Sequence, residues 1–318
     1  MKSEQSWLAR LCAGMRNLTQ TAEEQYSEGV QALEGTKTGW QDAARAYRFF
    51  MYAASQGHWL AIVKLGLCHE FGIGIEKDCA RAFQYYQQAA DGKCAAGLCR
   101  LGDCYLIGIG VAQDVMQAVR LYQAAADMHD PEAQYGLGIC HEKGMGVEKC
   151  PEEAFRWYQR AAKNGSAAGQ YNLGKCYGLG TGVAVDPVQA VHWFRQAAGQ
   201  GKDAIDHLLR TQTQWPIADA MCQLGVCYEM GLGVEKDPSH AERWYCEAAH
   251  RQHPYACSKY AGYLLATSQE EGGGCEKAEI WVQYAKKFEK ISAGTMDRQQ
   301  STPSAPRIQQ KRGRRQVL

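Results

Sequence analysis

Two kinds of hydrophobic pattern alternate along most of this chain. In one, apolar and small residues recur at i, i+4, i+7 and i+11, as in Ala133, Leu137, Cys140 and Gly144, which is one face of a helix. In the other, an aromatic pair and an alanine pair stand at fixed places: AFQYYQQAA (82–90), AVRLYQAAA (118–126), AFRWYQRAA (154–162), AVHWFRQAA (190–198) and AERWYCEAA (241–249). Large and small groups at constant spacing are how facing helices interdigitate. The pattern predicts pairs of antiparallel helices packed through these stripes.

The pairs repeat with a fixed period. Leu-Gly returns at Leu65-Gly66, Leu101-Gly102, Leu137-Gly138 and Leu173-Gly174, 36 residues apart each time, and again at Leu224-Gly225, 51 residues on. Seven residues after each leucine comes Gly-x-Gly followed by Ile or Val, from Gly72/Gly74 to Gly231/Gly233. These are turns, because glycine accepts the positive φ that ends a helix and a second glycine lets the chain double back. Asp78, Asp114, Asp186-Pro187 and Asp237-Pro238, with Cys150-Pro151 in the same column, then mark helix starts. Five identical glycine pairs with no preceding strand do not suit a phosphate cradle, so the sequence implies no cofactor.

A period of this length means an array. The fold expected is all-α, an α-solenoid of about seven antiparallel helix pairs near 22–55, 58–91, 95–127, 131–163, 167–199, 217–250 and 254–289. Residues 1–21 form an N-terminal extension, 203–216 an insertion reading DAIDHLLRTQTQWP, and 291–318 a basic tail with the composition of disorder.

Charge adds little for the chain as a whole, whose net total is +1. That near balance argues against a dedicated nucleic-acid binder. The tail differs, with six basic residues against one acid. Its cluster Lys311, Arg312, Arg314 and Arg315 is a candidate contact for nucleic acid or another anionic surface, or a solvated end without a role. No apolar run approaches the ~18 residues of a membrane span, and the start lacks the apolar stretch of a secretory signal. A cytoplasmic, monomeric protein is expected, although Trp7, Leu8, Leu11, Met15 and Leu18 beside Lys2, Arg10 and Arg16 also describe a weak mitochondrial presequence. Cys68, Cys104, Cys140, Cys176 and Cys227 share one column of the packed stripe, so these members of the 14 cysteines are expected to be free thiols acting as small apolar residues.

The motif LGxCYxxGxGVxxDxxxAxxWYxxAA, seen from Leu173 to Ala198 and from Leu224 to Ala249, resembles the Sel1-like repeat family, relatives of the tetratricopeptide repeat. The resemblance implies stacked antiparallel helix pairs and adaptor or scaffold roles. In a secreted, cysteine-rich branch of that family the repeated cysteines come in pairs. Here a single column recurs, so export, disulfides and β-lactam binding are not carried over.

Nothing in the register converges into a catalytic or metal site. Cys94, Cys99 and Cys104 are five apart and point in different directions on a helix. Cys68-His69 and Cys140-His141 are chain neighbours in a column that elsewhere holds Tyr105, Tyr177 and Tyr228. The protein is expected not to be an enzyme. What can carry function is the concave surface, lined by the first helices in solenoids of this kind. Lys64, Arg100, Asn172, Gln223 and Lys259 lie there in one column, broken by Gly136, and could hold the backbone or acidic terminus of a partner chain, or could simply be solvated. Trp215 in the insertion is a candidate aromatic anchor. The function expected is a scaffold holding a partner chain or peptide in its groove. The alternative is a regulatory subunit or secreted effector acting on a host or cell-envelope component.

Overall fold

The computed structural model describes residues 21–34, 40–200, 214–271, 279–283 and 286. The N-terminal extension, most of the insertion, the side chain of Trp215 and the basic tail with Lys311, Arg312, Arg314 and Arg315 lie outside the described residues. Among the described residues are thirteen helices: α1 (Ala22–Glu34), α2 (Trp40–Ser55), α3 (Trp59–Phe71), α4 (Cys79–Asp91), α5 (Ala95–Ile107), α6 (Val115–Asp127), α7 (Pro131–Lys143), α8 (Pro151–Lys163), α9 (Ala167–Leu179), α10 (Pro187–Gly199), α11 (Gln214–Met230), α12 (Pro238–His250) and α13 (Pro254–Glu271). A further helical stretch at 279–283 follows. The chain is an all-α array of helix pairs, and about seven pairs accounts for it.

Each turn within a pair is built in the same way. The first glycine takes a left-handed conformation, for example Gly72 at φ 71° and Gly180 at φ 72°, and donates its N–H to the carbonyl of the column cysteine four residues back. The next N–H bonds the same carbonyl, as Thr181 does to Cys176 at 3.0 Å. The aspartate that opens the second helix donates its own N–H to the first helix, Asp186 to the Tyr177 carbonyl at 2.8 Å, while its carboxylate accepts from Val188 and Gln189. The free groups at both helix ends are thereby satisfied inside one short loop.

Within a pair, an aromatic ring of the second helix lies flat on the glycine of Leu-Gly. A methyl group placed on Gly138 would sit 2.4 Å from the Tyr158 ring, and one on Gly66 2.4 Å from Tyr86. Tyr86, Tyr122, Tyr158 and Tyr245 are almost fully buried in consequence, each contributing on the order of 2–3 kcal/mol of apolar burial. Their hydroxyls cannot go unpaired, and each donates to a carboxylate on its own first helix: Tyr86 to Glu70 at 2.7 Å, Tyr122 to Asp103 at 2.6 Å, Tyr158 to Glu142 at 2.5 Å and Tyr245 to Glu229 at 2.7 Å.

Neighbouring pairs are joined by the second glycine of the turn. At Gly182, φ is 70° and a Cβ would fall 2.3 Å from the carbonyl oxygen of Pro151, at the start of the second helix one unit earlier. Gly74, Gly110 and Gly233 make the same approach to Ala43, Cys79 and Pro187. Sequence reasoning gave this glycine to chain reversal, whereas its closest neighbour is the previous unit. Amide pairs add a second joint: Asn164 donates to buried Gln134 at 2.9 Å and Gln200 to buried Gln170 at 2.9 Å, each thirty residues apart.

The column cysteines are buried free thiols, and burial pushes Cys68 and Cys104 up to about 12 and Cys140, Cys176 and Cys227 up to about 11. A disulfide-exchange reagent at about pH 8 is expected to modify the half-buried Cys79, Cys94 and Cys150 first, and the five column thiols only as the array unfolds. Mass mapping of the labelled cysteines checks this. Fast native labelling of Cys140 would contradict the packing described.

Candidate partner-binding groove

Successive first helices, α3, α5, α7, α9 and α11, touch one another in addition to their own partners, and successive second helices do not to a comparable extent. First helices therefore lie on the inside of the curve.

The column singled out from the sequence lies on this face, but much of it is engaged within the array. Arg100 is bonded to Asp103 at 3.2 Å and keeps 31% side-chain exposure. Lys259 reaches back one unit to both oxygens of Glu229 at 3.0 Å and stands over the Tyr255 ring at 5.7 Å. Asn172 donates to the Ala168 carbonyl at 3.0 Å and accepts from Lys175 at 3.4 Å. Lys64 and Gln223 are half-buried in the same column. The column thus joins units to each other while leaving part of its polar surface open.

Carboxylates outnumber these cations on the face, and sequence reasoning passed over them. Glu70, Asp103, Glu132, Glu142, Asp219 and Glu229 all lie on first helices. Burial raises the Asp103 carboxyl, opposed by the Arg100 guanidinium and the Tyr122 hydroxyl, and burial also raises Glu132. At Glu229 burial acts upward, but the Tyr245 hydroxyl and the Lys259 ammonium prevail and hold it below the ordinary value. Asp219 is met by His253 at 2.9 Å. Half-buried Tyr135 and Tyr171 stand between these acids, each packed on the buried ring of its own pair, 6.0 Å from Tyr158 and 5.9 Å from Phe194. The face combines aromatic surface with more negative than positive groups.

Of the two Cys-His neighbours, Cys68-His69 is held by packing. His69 is buried between Tyr47, whose hydroxyl lies 3.2 Å from Nε2, and the stacked ring of Tyr85. Burial holds this imidazole below its usual range and raises the neighbouring Cys68 thiol, the opposite of what an activated pair requires. Among the described residues no helix is long and apolar enough to cross a membrane.

Comparison with known proteins agrees with this architecture. A Sel1 repeat protein from Oxalobacter formigenes superposes with a TM-score of 0.59 at 26% identity, covering 81% of this chain and 96% of that one. The protective antigen c5321 of uropathogenic Escherichia coli gives 0.58 at 25% identity, over 86% of this chain and 55% of that one. The immunity protein Pa5087 of Pseudomonas aeruginosa shares the fold, with a TM-score of 0.53 at 20% identity over 72% and 81% of the two chains. No curated protein gives a significant sequence match. The Sel1 repeat family model matches residues 33–58, 59–94, 95–130, 131–166, 167–202 and 218–253, the units whose turns, rings and joints are described above. By these repeats and by the fold they build, the chain belongs to the Sel1 repeat family.

Proposed function

We propose that this protein is a scaffold whose concave face holds an extended, positively charged segment of a partner protein. Sel1 repeat proteins generally mediate protein–protein interaction, and no catalytic family is indicated for this chain. The observation that supports the finer reading is the mutual contact of successive first helices, which carry Tyr135, Tyr171 and six half-buried carboxylates. Two of the four cations there are already bonded to acids. Among the described residues no cation lies within bonding distance of Glu132 or Glu142, and a lysine or arginine of a partner would supply it. This differs from the acidic terminus expected from the cation column alone, because Arg100 and Lys259 are paired with acids within the array.

The test uses the intact chain and two labelled decapeptides, one rich in lysine and arginine and one rich in aspartate and glutamate, read by fluorescence anisotropy. The basic peptide is expected to bind and to weaken steeply with salt. Tyr171→Ala and Glu142→Gln should each lower its affinity about tenfold, the worth of one lost bidentate contact or aromatic platform. Arg156→Ala, on second helix α8, should leave it unchanged. Preference for the acidic peptide, or equal loss in all three variants, would exclude this use of the groove.

A further inference from the structure

The repeats serve as controls for one another, and one unit departs from the common register. At one register position, the start of the first helix in most units, the array has Ala95, Pro131, Ala167, Ala218 and Pro254, but Trp59 in α3. At the residue after the second helix it has Met128, Asn164, Gln200 and Arg251, but Gly92 after α4. The two departures fit each other. A Cβ on Gly92 would lie 2.6 Å from three atoms of the Trp59 six-membered ring, so only glycine lets the indole settle there. His58 fixes the approach by capping α3, its Nδ1 accepting from the Ala61 N–H at 3.1 Å while its Nε2 meets Glu23 at 2.9 Å. Trp59 nevertheless stays 42% exposed. Packing alone gives no reason for a large aromatic side chain held in place and left open.

It forms one wall of a pocket of about 590 Å³, within the roughly 300–1,000 Å³ typical of small-molecule sites. Phe83, Gln84, Gln87, Gln88 and Asp91 of α4 form the rest. Other units carry Arg120, Arg156, His192 and Arg243 where this one has Gln84. The pocket therefore lacks a cation and combines aromatic surface with three amides and one carboxylate. Gln87 donates to Asp91 at 2.8 Å, which fixes that carboxylate and leaves its second oxygen available within the pocket.

We propose that this pocket binds a neutral sugar ring, its apolar C–H face against Trp59 and its hydroxyls bonded to Gln84, Gln88 and Asp91. A sugar hydroxyl both donates and accepts, and the amide is the side chain that answers both with one group. The carboxylate accepts from two adjacent hydroxyls, and the indole face, electron-rich above the ring, attracts polarised C–H bonds. An anionic ligand would meet Asp91 with no balancing cation. A proline-rich strand would use the aromatic walls but leave most of the amide donors unanswered.

The experiment follows the indole N–H signal of Trp59 in the full chain by nitrogen-15 NMR, assigned by its loss in Trp59→Phe. The probes are the methyl glycosides of glucose, galactose, mannose and N-acetylglucosamine, with choline and a proline-rich decapeptide as rivals. At least one glycoside should shift Trp59 saturably at millimolar concentration. Trp59→Ala should weaken that glycoside about tenfold, read by saturation transfer to the ligand. Gln88→Ala, at an exposed position that leaves the core intact, should weaken it and change the preference among epimers. The proposal is overturned if no glycoside shifts Trp59, if choline or the peptide does so and the sugars do not, or if Trp59→Ala binds as well as the parent.

Discussion

Gly182→Ala should destabilise the array by about 3 kcal/mol, far more than one added methyl group ordinarily does. Two costs combine. The residue sits at φ 70°, where an L side chain loses roughly 1–2 kcal/mol. Its Cβ would also stand 2.3 Å from the Pro151 carbonyl oxygen, a backbone atom that yields only if α8 shifts, and overpacking of that kind costs roughly 1–3 kcal/mol. Two other glycines separate the costs. Gly165 has φ 95° with nothing within 4 Å of a built Cβ, so Gly165→Ala carries the conformational cost alone. Gly199 ends α10 at an ordinary φ and is also open, so Gly199→Ala should be neutral or slightly stabilising. Urea unfolding of the three variants, followed by circular dichroism, should give the order Gly182, Gly165, Gly199. A Gly182 variant no worse than the Gly165 variant would show that the joint between units is not where its geometry places it.

Tyr158→Ala is expected to cost about 3–5 kcal/mol, the range for removing a buried aromatic ring. The cavity would open between Gly138 and the alanines of α8, and relaxation is limited because Gly138 has no side chain to move in. Tyr158→Phe keeps the ring and loses only the hydroxyl that donates to Glu142, at a cost of about 1 kcal/mol. The array contains its own precedent. Phe194 occupies this column in the fifth matched repeat, and the place of Glu142 there is taken by Gly178, so ring without hydroxyl and helix without acid occur together. If both Tyr158 variants unfold at the same urea concentration, the hydroxyl rather than the ring is the stabilising part, and the packing account fails.

The helix pairs, their turns and their period were legible from Leu-Gly, Gly-x-Gly and the aromatic-alanine columns, because such patterns repeat and backbone geometry demands them. The pairings between columns were harder to read. Tyr158 follows Glu142 by sixteen residues, as Tyr86 follows Glu70 and Tyr245 follows Glu229, yet acids on a helix read as solvated until a buried hydroxyl is placed beside them. Gln134 with Asn164 and Gln170 with Gln200 are likewise visible as amides matched to amides, where Leu98 and Met128 occupy the same two columns as an apolar couple. The groove column could be read as polar residues in one register, but Lys259 and Arg100 could not be seen to be bonded to Glu229 and Asp103 until the helices were packed. Trp59 gave no signal, since a search for repetition is blind to the residue that breaks it.

The glycine pair does not run through the whole register. Thr267 and Gln269 stand in the two glycine columns within α13, which runs on to Glu271, eighteen residues where its counterparts α3, α5, α7 and α9 have thirteen. Without the left-handed residue the helix does not stop where its counterparts do. For the evolution of the array this sets a direction. A copied unit inserted between residues 59 and 253 arrives with its own joint and finds a carbonyl waiting at the start of the second helix before it, so lineages of this protein should gain and lose length within that span in whole units.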